Sequence, residues 1–267
     1  MPELPEVEAQ RATLERVCVG LRVTSVVAVE QGGGPRDGQL DDKVIAEGVA
    51  ADALSAALAD RTVAGARRHG KQLWLTFDGP GPQTHLLIHC GMTGALLVRN
   101  ASAVDAPKYK RLSHGTDVWP PKFCKLELVL TDGEQETSVA FADPRRLGKI
   151  LLRTGDPYSR DPLKSLAPDP MRDPPTVEAL AHKLRGTSIC VKAALLDQAR
   201  IVAGVGNWVA DEVLYQSGIL PSAPCNTLSG PQVAALRERL VGVCAEACAV
   251  DADSSRFPEH WLFHHRW

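Results

Sequence analysis

The sequence predicts an α+β protein: a β-rich N-terminal domain carrying an N-terminal helix, then a proline-rich hinge, then a helical C-terminal domain. Three observations carry this. Eight short β-branched or alternating runs lie between residues 23 and 152, separated by Gly, Pro and Asp turn signals. Residues 156–175 hold six prolines in twenty positions, so neither a regular helix nor a central strand runs through them. Beyond them the apolar spacing turns helical. Domains are accordingly expected at 1–155 and 176–267, with a linker at 156–175.

The first twenty residues read as a helix, because Pro5 suits a first-turn position, Glu6 and Glu8 complement the N-terminal dipole, and Gly20 stops it. Val7, Leu14 and Val17 are expected on its buried face. Strands are expected at 23–29, 62–66, 72–77, 85–89, 95–99, 125–130, 138–141 and 149–152, and this spacing suggests a sandwich or barrel. An Ala-rich stretch at 51–59 reads as helical, and the run of three glycines at 32–34 as a mobile loop tip. The helical candidates of the second half are 176–184, 189–201, 208–217 and 232–249.

Composition narrows the function classes. With 267 residues, 44% hydrophobic and 23% charged, the chain suits one large or two modest globular domains. No window approaches the length of a membrane-spanning helix, and the acidic N-terminus is unlike a secretory signal, so an intracellular protein without a membrane partner is expected. Seven cysteines without a CxxC pair suggest free thiols. The net charge is −2, but 61–153 holds fourteen Lys and Arg against eight Asp and Glu, a local +6 that suits one charged wall of a cleft and equally an ordinary scatter of surface charge.

Two segments carry chemistry. Met1 precedes a proline, a residue small enough for initiator methionine removal, and an α-amino group titrating near 7.7–8 is far less protonated at neutral pH than a lysine. A terminal secondary amine at Pro2 can attack an aldehyde carbon to form an iminium, with Glu3 and Glu6 beside it as candidate acids and bases. A helix start decorated with dipole-complementing acids explains the same residues. The second segment, 195–221, reads as helix, glycine turn at Gly204-Val205-Gly206-Asn207, then a helix whose first turn exposes N–H groups to an anion such as a phosphate. A dinucleotide fingerprint fails, because no third glycine follows and no strand precedes the turn.

PELPEVE at the N-terminus, RRHGKQLWL around Lys71, HCGMTGAL around Met92, FADPRRLGK around Arg145, and LLDQ followed by GVGNWVADEVLYQ together resemble the formamidopyrimidine-DNA glycosylase and endonuclease VIII family over nearly the whole chain. NWVADEVLYQ and FPEHWLFHHRW look most like its plant and fungal branch. The resemblance implies an N-terminal β-sandwich with an N-terminal helix and a C-terminal helix-two-turn-helix domain. It implies a bifunctional glycosylase and abasic-site lyase acting on oxidised purines in double-stranded damaged DNA, without a cofactor, as a monomer, in the nucleus if eukaryotic and otherwise in the cytoplasm. A catalytically weak protein that binds damaged or abasic DNA is the alternative.

Carried over by motif, Pro2 looks like the nucleophile, Glu3 the acid and base, Glu6 a buried acid fixing the helix, and Lys71 the lysine at the lesion phosphates. Met92 and Arg145 match residues that fill the gap left by an everted base. Lys192, Gly206 and Asn207 correspond to phosphate contacts, and Lys125 to a weaker one, while Lys108, Lys110 and Arg111 add nonspecific attraction. There are departures. No four-cysteine zinc finger is present, and no metal is expected at His260, His264 and His265. The chain stops at Trp267, where the metal-free hairpin of the plant-like branch begins, which predicts a cut-short sequence or reduced DNA affinity and δ-elimination. Leu147 stands where many relatives carry phenylalanine, predicting looser discrimination of the opposite base, and the 197–207 run looks one residue longer than usual.

Overall fold

The computed structural model describes residues 1–99 and 118–265, which divide into two compact units. Lys108, Lys110, Arg111, Arg266 and Trp267 lie outside the described residues. The first unit comprises residues 1–2, 7–68 and 72–159, the second residues 3–6, 69–71 and 160–267. The N-terminal helix α1 (Leu4–Cys18) therefore gives its first turn to the second unit and the rest to the first.

In the first unit, Val7, Leu14 and Cys18 occupy one stripe of α1 and are buried, with Cys18 taking the fully buried place expected for Val17. Eight strands follow: β1 (Arg22–Val27), β2 (Thr62–His69), β3 (Gln72–Asp78), β4 (Thr84–His89), β5 (Ala95–Val98), β6 (Cys124–Thr131), β7 (Glu136–Ala142) and β8 (Lys149–Thr154). They form one hydrogen-bonded sheet in the order β5-β7-β6-β1-β2-β3-β4-β8. The two halves of this sheet share a single apolar cluster, as the inner faces of a sandwich do: Leu73, Leu75, Leu86 and Ile88 from one half, Leu126, Leu128, Leu130, Val139 and Phe141 from the other. Register explains the selection, since Leu73 pairs with Ile88, Leu75 with Leu86 and Ile88 with Ile150. Gln10 of α1 ties the helix to the sheet edge by accepting the Leu96 N–H at 3.0 Å.

A short helix, α2 (Ala51–Leu58), buries Leu54 and Leu58 as the Ala-rich stretch predicts. The 32–34 glycines are not a free loop tip. A Cβ on Gly32 would lie 2.3 Å from the Pro121 carbonyl oxygen, and one on Gly34 1.8 Å from the Glu30 carboxylate, so these two glycines are there for close approach.

The second unit is built on α3 (Val177–Arg185), α4 (Val191–Leu196), α5 (Asn207–Gln216) and α6 (Gly230–Ala249). Thr176 caps α3, and Ser229 with Gln232 forms a capping box at α6, with Pro231 in its first turn. Leu180, Val191, Leu195, Val209, Val213, Leu236 and Leu240 meet in one apolar cluster that also takes in Leu4. The α4 helix ends earlier than expected. Asp197 turns the chain by accepting the Ala199 N–H, and the Gln198 carboxamide then donates to the carbonyls of Leu196 and Val205 and accepts the Gly204 N–H.

The 156–175 stretch corrects the expectation of a linker. From residue 160 onward it belongs to the second unit, with Leu163, Ala167 and Asp169 buried. Asp169 accepts N–H bonds from Gly70 at 2.7 Å, Met171 at 2.8 Å and Arg172 at 3.1 Å, while the Ala167 carbonyl meets the His69 ring at 2.8 Å. Prolines here exclude regular structure without excluding packing. Among the described residues no helix is long and apolar enough to cross a membrane.

Candidate active site and nucleic-acid interface

The second unit gathers Glu3 and Glu6 of the N-terminal motif. Glu3 is 3% exposed, and its carboxylate accepts the backbone N–H groups of Gly206 at 2.9 Å, Trp208 at 3.0 Å and Val209 at 3.1 Å. It sits on the N-terminus of α5, where orphan donors and the helix dipole both favour an anion. Sequence reading places a phosphate there. The structure corrects this: the tenant of those donors is Glu3, so the Gly206 N–H is not available to DNA. Asn207 is exposed at the first position of α5, facing outward from the same turn.

Glycines make the approach possible. A Cβ at 206 would lie 2.2 Å from the Glu3 carboxyl carbon, and one at 204 would lie 2.7 Å from Leu4 Cδ1. Gly204 has φ of +98° and its carbonyl accepts the Leu4 N–H at 3.0 Å. Gly70, with φ of +58°, leaves no room for a Cβ against Ala203.

Glu6 completes the arrangement. One oxygen accepts the Glu3 N–H at 3.0 Å and the other the Trp208 indole N–H at 3.0 Å. The first of these fixes the peptide that joins Pro2, itself buried, to Glu3. Burial pushes the Glu3 carboxyl above its ordinary value, against the three N–H donors and the charge of Lys71. Burial and then the charge of Glu3 raise Glu6 to about 7. Lys71, 7% exposed, is lowered by desolvation, against the pull of both glutamates. Two carboxyls and one amine thus share a desolvated site that shifts the protonation equilibrium of all three, as acid–base sites do.

Lys192 is 30% exposed and pairs with Asp211 of α5 at 2.6 Å. Behind α5, the buried Glu212 accepts N–H bonds from Leu262 and Phe263, and Trp208, Phe257, Trp261 and Phe263 stack as one aromatic group. His264 packs edge-on against Phe263 and meets the Phe257 carbonyl.

The first unit carries the other residues. Met92, in the turn after β4, is 40% exposed; Leu147, in the loop between β7 and β8, is 45% exposed; and Arg145 of that loop is also exposed. Asp143, fully buried, draws them together. It accepts from Thr93 Oγ1 at 2.8 Å and from the N–H groups of Arg145, Leu147 and Gly148 at 3.2, 2.8 and 2.7 Å. Gly91, at φ of +57°, allows the first turn to lie on the Leu147 backbone, where a Cβ would come within 2.5 Å.

Lys125 is not part of this exposed set. It is 1% exposed and lies between the carboxylates of Glu30 and Asp41, so its ammonium is spent inside the fold and cannot reach a phosphate. Sequence reading also missed Asp169, Gln198, Asp143 and Glu212, which organise the loops. Asp143 was signalled by its place before Pro144 in FADPRR; Asp169 was hidden by the prolines around it.

Residues 1–150 match the formamidopyrimidine-DNA glycosylase N-terminal domain, and residues 166–259 the formamidopyrimidine-DNA glycosylase H2TH domain. A formamidopyrimidine-DNA glycosylase of Arabidopsis thaliana is 38% identical over the whole of this chain, which spans 63% of that protein's length. Another from Laribacter hongkongensis is 32% identical over 96% of this chain and 81% of its own. Among solved structures, a Lactococcus lactis FPG mutant in complex with Fapy-dG-containing DNA has a TM-score of 0.74 at 26% identity, covering 97% of this chain and 82% of that one. The MutM (Fpg) protein of Thermus thermophilus has a TM-score of 0.70 at 27% identity, covering 94% and 77%. The matches span both units and every motif described above, and the chain belongs to the formamidopyrimidine-DNA glycosylase family.

Proposed function

We propose that this chain is a bifunctional DNA glycosylase and abasic-site lyase that excises oxidised purines from double-stranded DNA in base excision repair. The observation that carries the reading is the Glu3 carboxyl, buried, raised above its ordinary value and fixed on the α5 N-terminus one residue after Pro2. Burial strengthens the hold of this carboxyl on a proton, which is what a general acid next to Pro2 requires. DNA complexes of Lactococcus lactis relatives, one with Fapy-dG and others with THF-DNA, support DNA as the partner.

The chemistry balances with residues of this chain alone. Once Met1 is removed, the Pro2 nitrogen lone pair forms a bond to C1′ while the glycosidic electron pair leaves with the base, and the proton the Pro2 nitrogen then sheds passes to that base. Glu3 donates its proton to the ring oxygen as the C1′–O4′ bond opens, giving an iminium at Pro2. The Glu3 carboxylate left by the ring opening takes the C2′ proton, the C–H electron pair enters the iminium to give an enamine, and that pair then expels the 3′ phosphate. Lys71 supplies positive charge toward the lesion phosphates, and Lys192 and Asn207 toward the backbone. Met92, Arg145 and Leu147 occupy the space the everted base vacates, which offsets a few kcal/mol of lost stacking. The protein acts as a monomer, in the nucleus of a eukaryote or in the cytoplasm otherwise.

Borohydride trapping on duplex DNA bearing an abasic site or 8-oxoguanine tests this, with Pro2→Gly as control. Adducts on both substrates, absent in the control, are expected. An adduct on the abasic substrate alone refutes base excision of 8-oxoguanine, and binding without any adduct makes the protein a damaged-DNA binder.

A further inference from the structure

Two buried carboxylates hold the loop between β7 and β8 from opposite sides. Asp143 takes its backbone, as described. Asp41 takes the side chain of Arg146, accepting from Nε at 2.7 Å and Nη2 at 2.9 Å in a bidentate pair. Arg146 has φ of +55°, a left-handed conformation that a non-glycine residue adopts only at a steric cost. That backbone turns Arg146 inward and leaves its two neighbours, Arg145 and Leu147, outward and exposed.

Asp41 is itself immobilised. It is fully buried, Lys125 lies 3.0 Å behind it, and Glu30 pairs with Lys125 in turn, so two acids and two bases form a charge-balanced set, three of them buried and Arg146 half-buried at its edge. The chain just after Asp41 is fastened to β8, where Ile150 donates to the Val44 carbonyl at 2.7 Å and accepts from Ala46 at 3.0 Å. Burial acts to raise the Asp41 carboxyl, but the Arg146 and Lys125 hydrogen bonds and charges outweigh it and hold the group at about 2.

We propose that Asp41 is a positioning residue for the duplex-facing rim: through Arg146 it sets where Arg145 and Leu147 stand, and Lys125 balances its charge from behind. The inference rests on the glycosylase reading, and it gives Lys125 a purpose that a phosphate contact does not. Discrimination of the base opposite the lesion then depends on a residue far in sequence from the loop that performs it.

Arg146→Met and Asp41→Asn test it. The readouts are single-turnover excision of 8-oxoguanine from duplexes carrying each of the four opposite bases, and borohydride trapping on a single-stranded abasic oligonucleotide, which has no estranged base to engage. Duplex excision is expected to fall on the order of 10- to 100-fold, because a small misplacement of a positioning group has that effect. The ratio between opposite bases is expected to flatten, with single-stranded trapping within about twofold of wild type. Equal losses on both substrates, or unchanged duplex excision, overturn the proposal. If Asp41→Asn does not fold, Arg146→Met decides, since its side chain is 27% exposed and its removal leaves Asp41 paired with Lys125. Wild-type protein that traps on neither substrate refutes the glycosylase reading itself, and this inference with it.

Discussion

Replacing Gly206 with alanine separates the Glu3 carboxyl from α5 without touching any charged group. The added Cβ would lie 2.2 Å from Glu3 Cδ, 2.4 Å from Oε1 and 2.6 Å from Cγ, far inside contact distance. Glu3 must leave, and it has no free direction, being 3% exposed and committed to three N–H donors. Each buried donor left without a partner costs about 1–3 kcal/mol. Allowing for partial recovery by water, the variant is expected to lose about 3 kcal/mol, a fall in Tm of roughly 5–10 °C. Displacing the carboxyl by an ångström or more is expected to lower single-turnover excision on the order of 100-fold. The assay pairs thermal unfolding with excision of 8-oxoguanine from a labelled duplex at a temperature where the variant is folded. Gly230→Ala, at a position with open space around it, serves as control and should match wild type in both. A Gly206→Ala protein that melts and excises like wild type would refute the claim that α5 holds the proton donor.

Lys125→Met leaves Glu30 and Asp41 with one cation fewer, so unfolding experiments should show a loss of about 3 kcal/mol. The slope of DNA affinity against salt should stay unchanged in that variant, whereas loss of a phosphate contact lowers it by about one. Stability below pH 4 should reflect Asp41: its folded carboxyl is held at about 2, below the unfolded value, so about 2 kcal/mol of stability present above pH 4 is lost as pH falls toward 2. Urea unfolding across pH should show this, and Asp41→Asn should lack it. Glu6 acts with the opposite sign, because its carboxyl is raised to about 7; stability should decline as pH rises from about 4.5 to 7, and Glu6→Gln should flatten that decline. Glu212→Ala removes the acceptor for Leu262 and Phe263 and should shift tryptophan emission to longer wavelength as Trp208 and Trp261 become wetter, with a stability loss of about 2 kcal/mol.

Elements whose identity rests on local periodicity were readable from the chain. The eight strands, α1 and α6 fall within a few residues of their expected places because alternation, proline and capping residues act over short distances. The misreadings share a cause of a different kind. Lys125 looks like any basic residue on a strand, and only the partners supplied by residues 30 and 41 show that it is interior. The α5 N-terminus looks like a phosphate seat, and only a carboxylate two hundred positions earlier fills it. Asp169 sits among prolines that advertise a spacer, yet its hydrogen bonds reach back to Gly70. Long-range electrostatic pairing leaves no mark on local sequence, so the polar scaffold was the part least legible.

The membership of residues 3–6 in the second unit has a consequence for synthesis. A ribosome delivers Glu3 first and Gly206, Trp208 and Val209 some two hundred residues later, and every nascent chain shorter than that lacks the donors that seat the carboxyl. The first unit can pack as it emerges, since its cluster is drawn from residues 7–150. The seat of the Glu3 carboxyl is thereby incomplete until translation has passed α5, and a product terminated before residue 206 lacks it altogether.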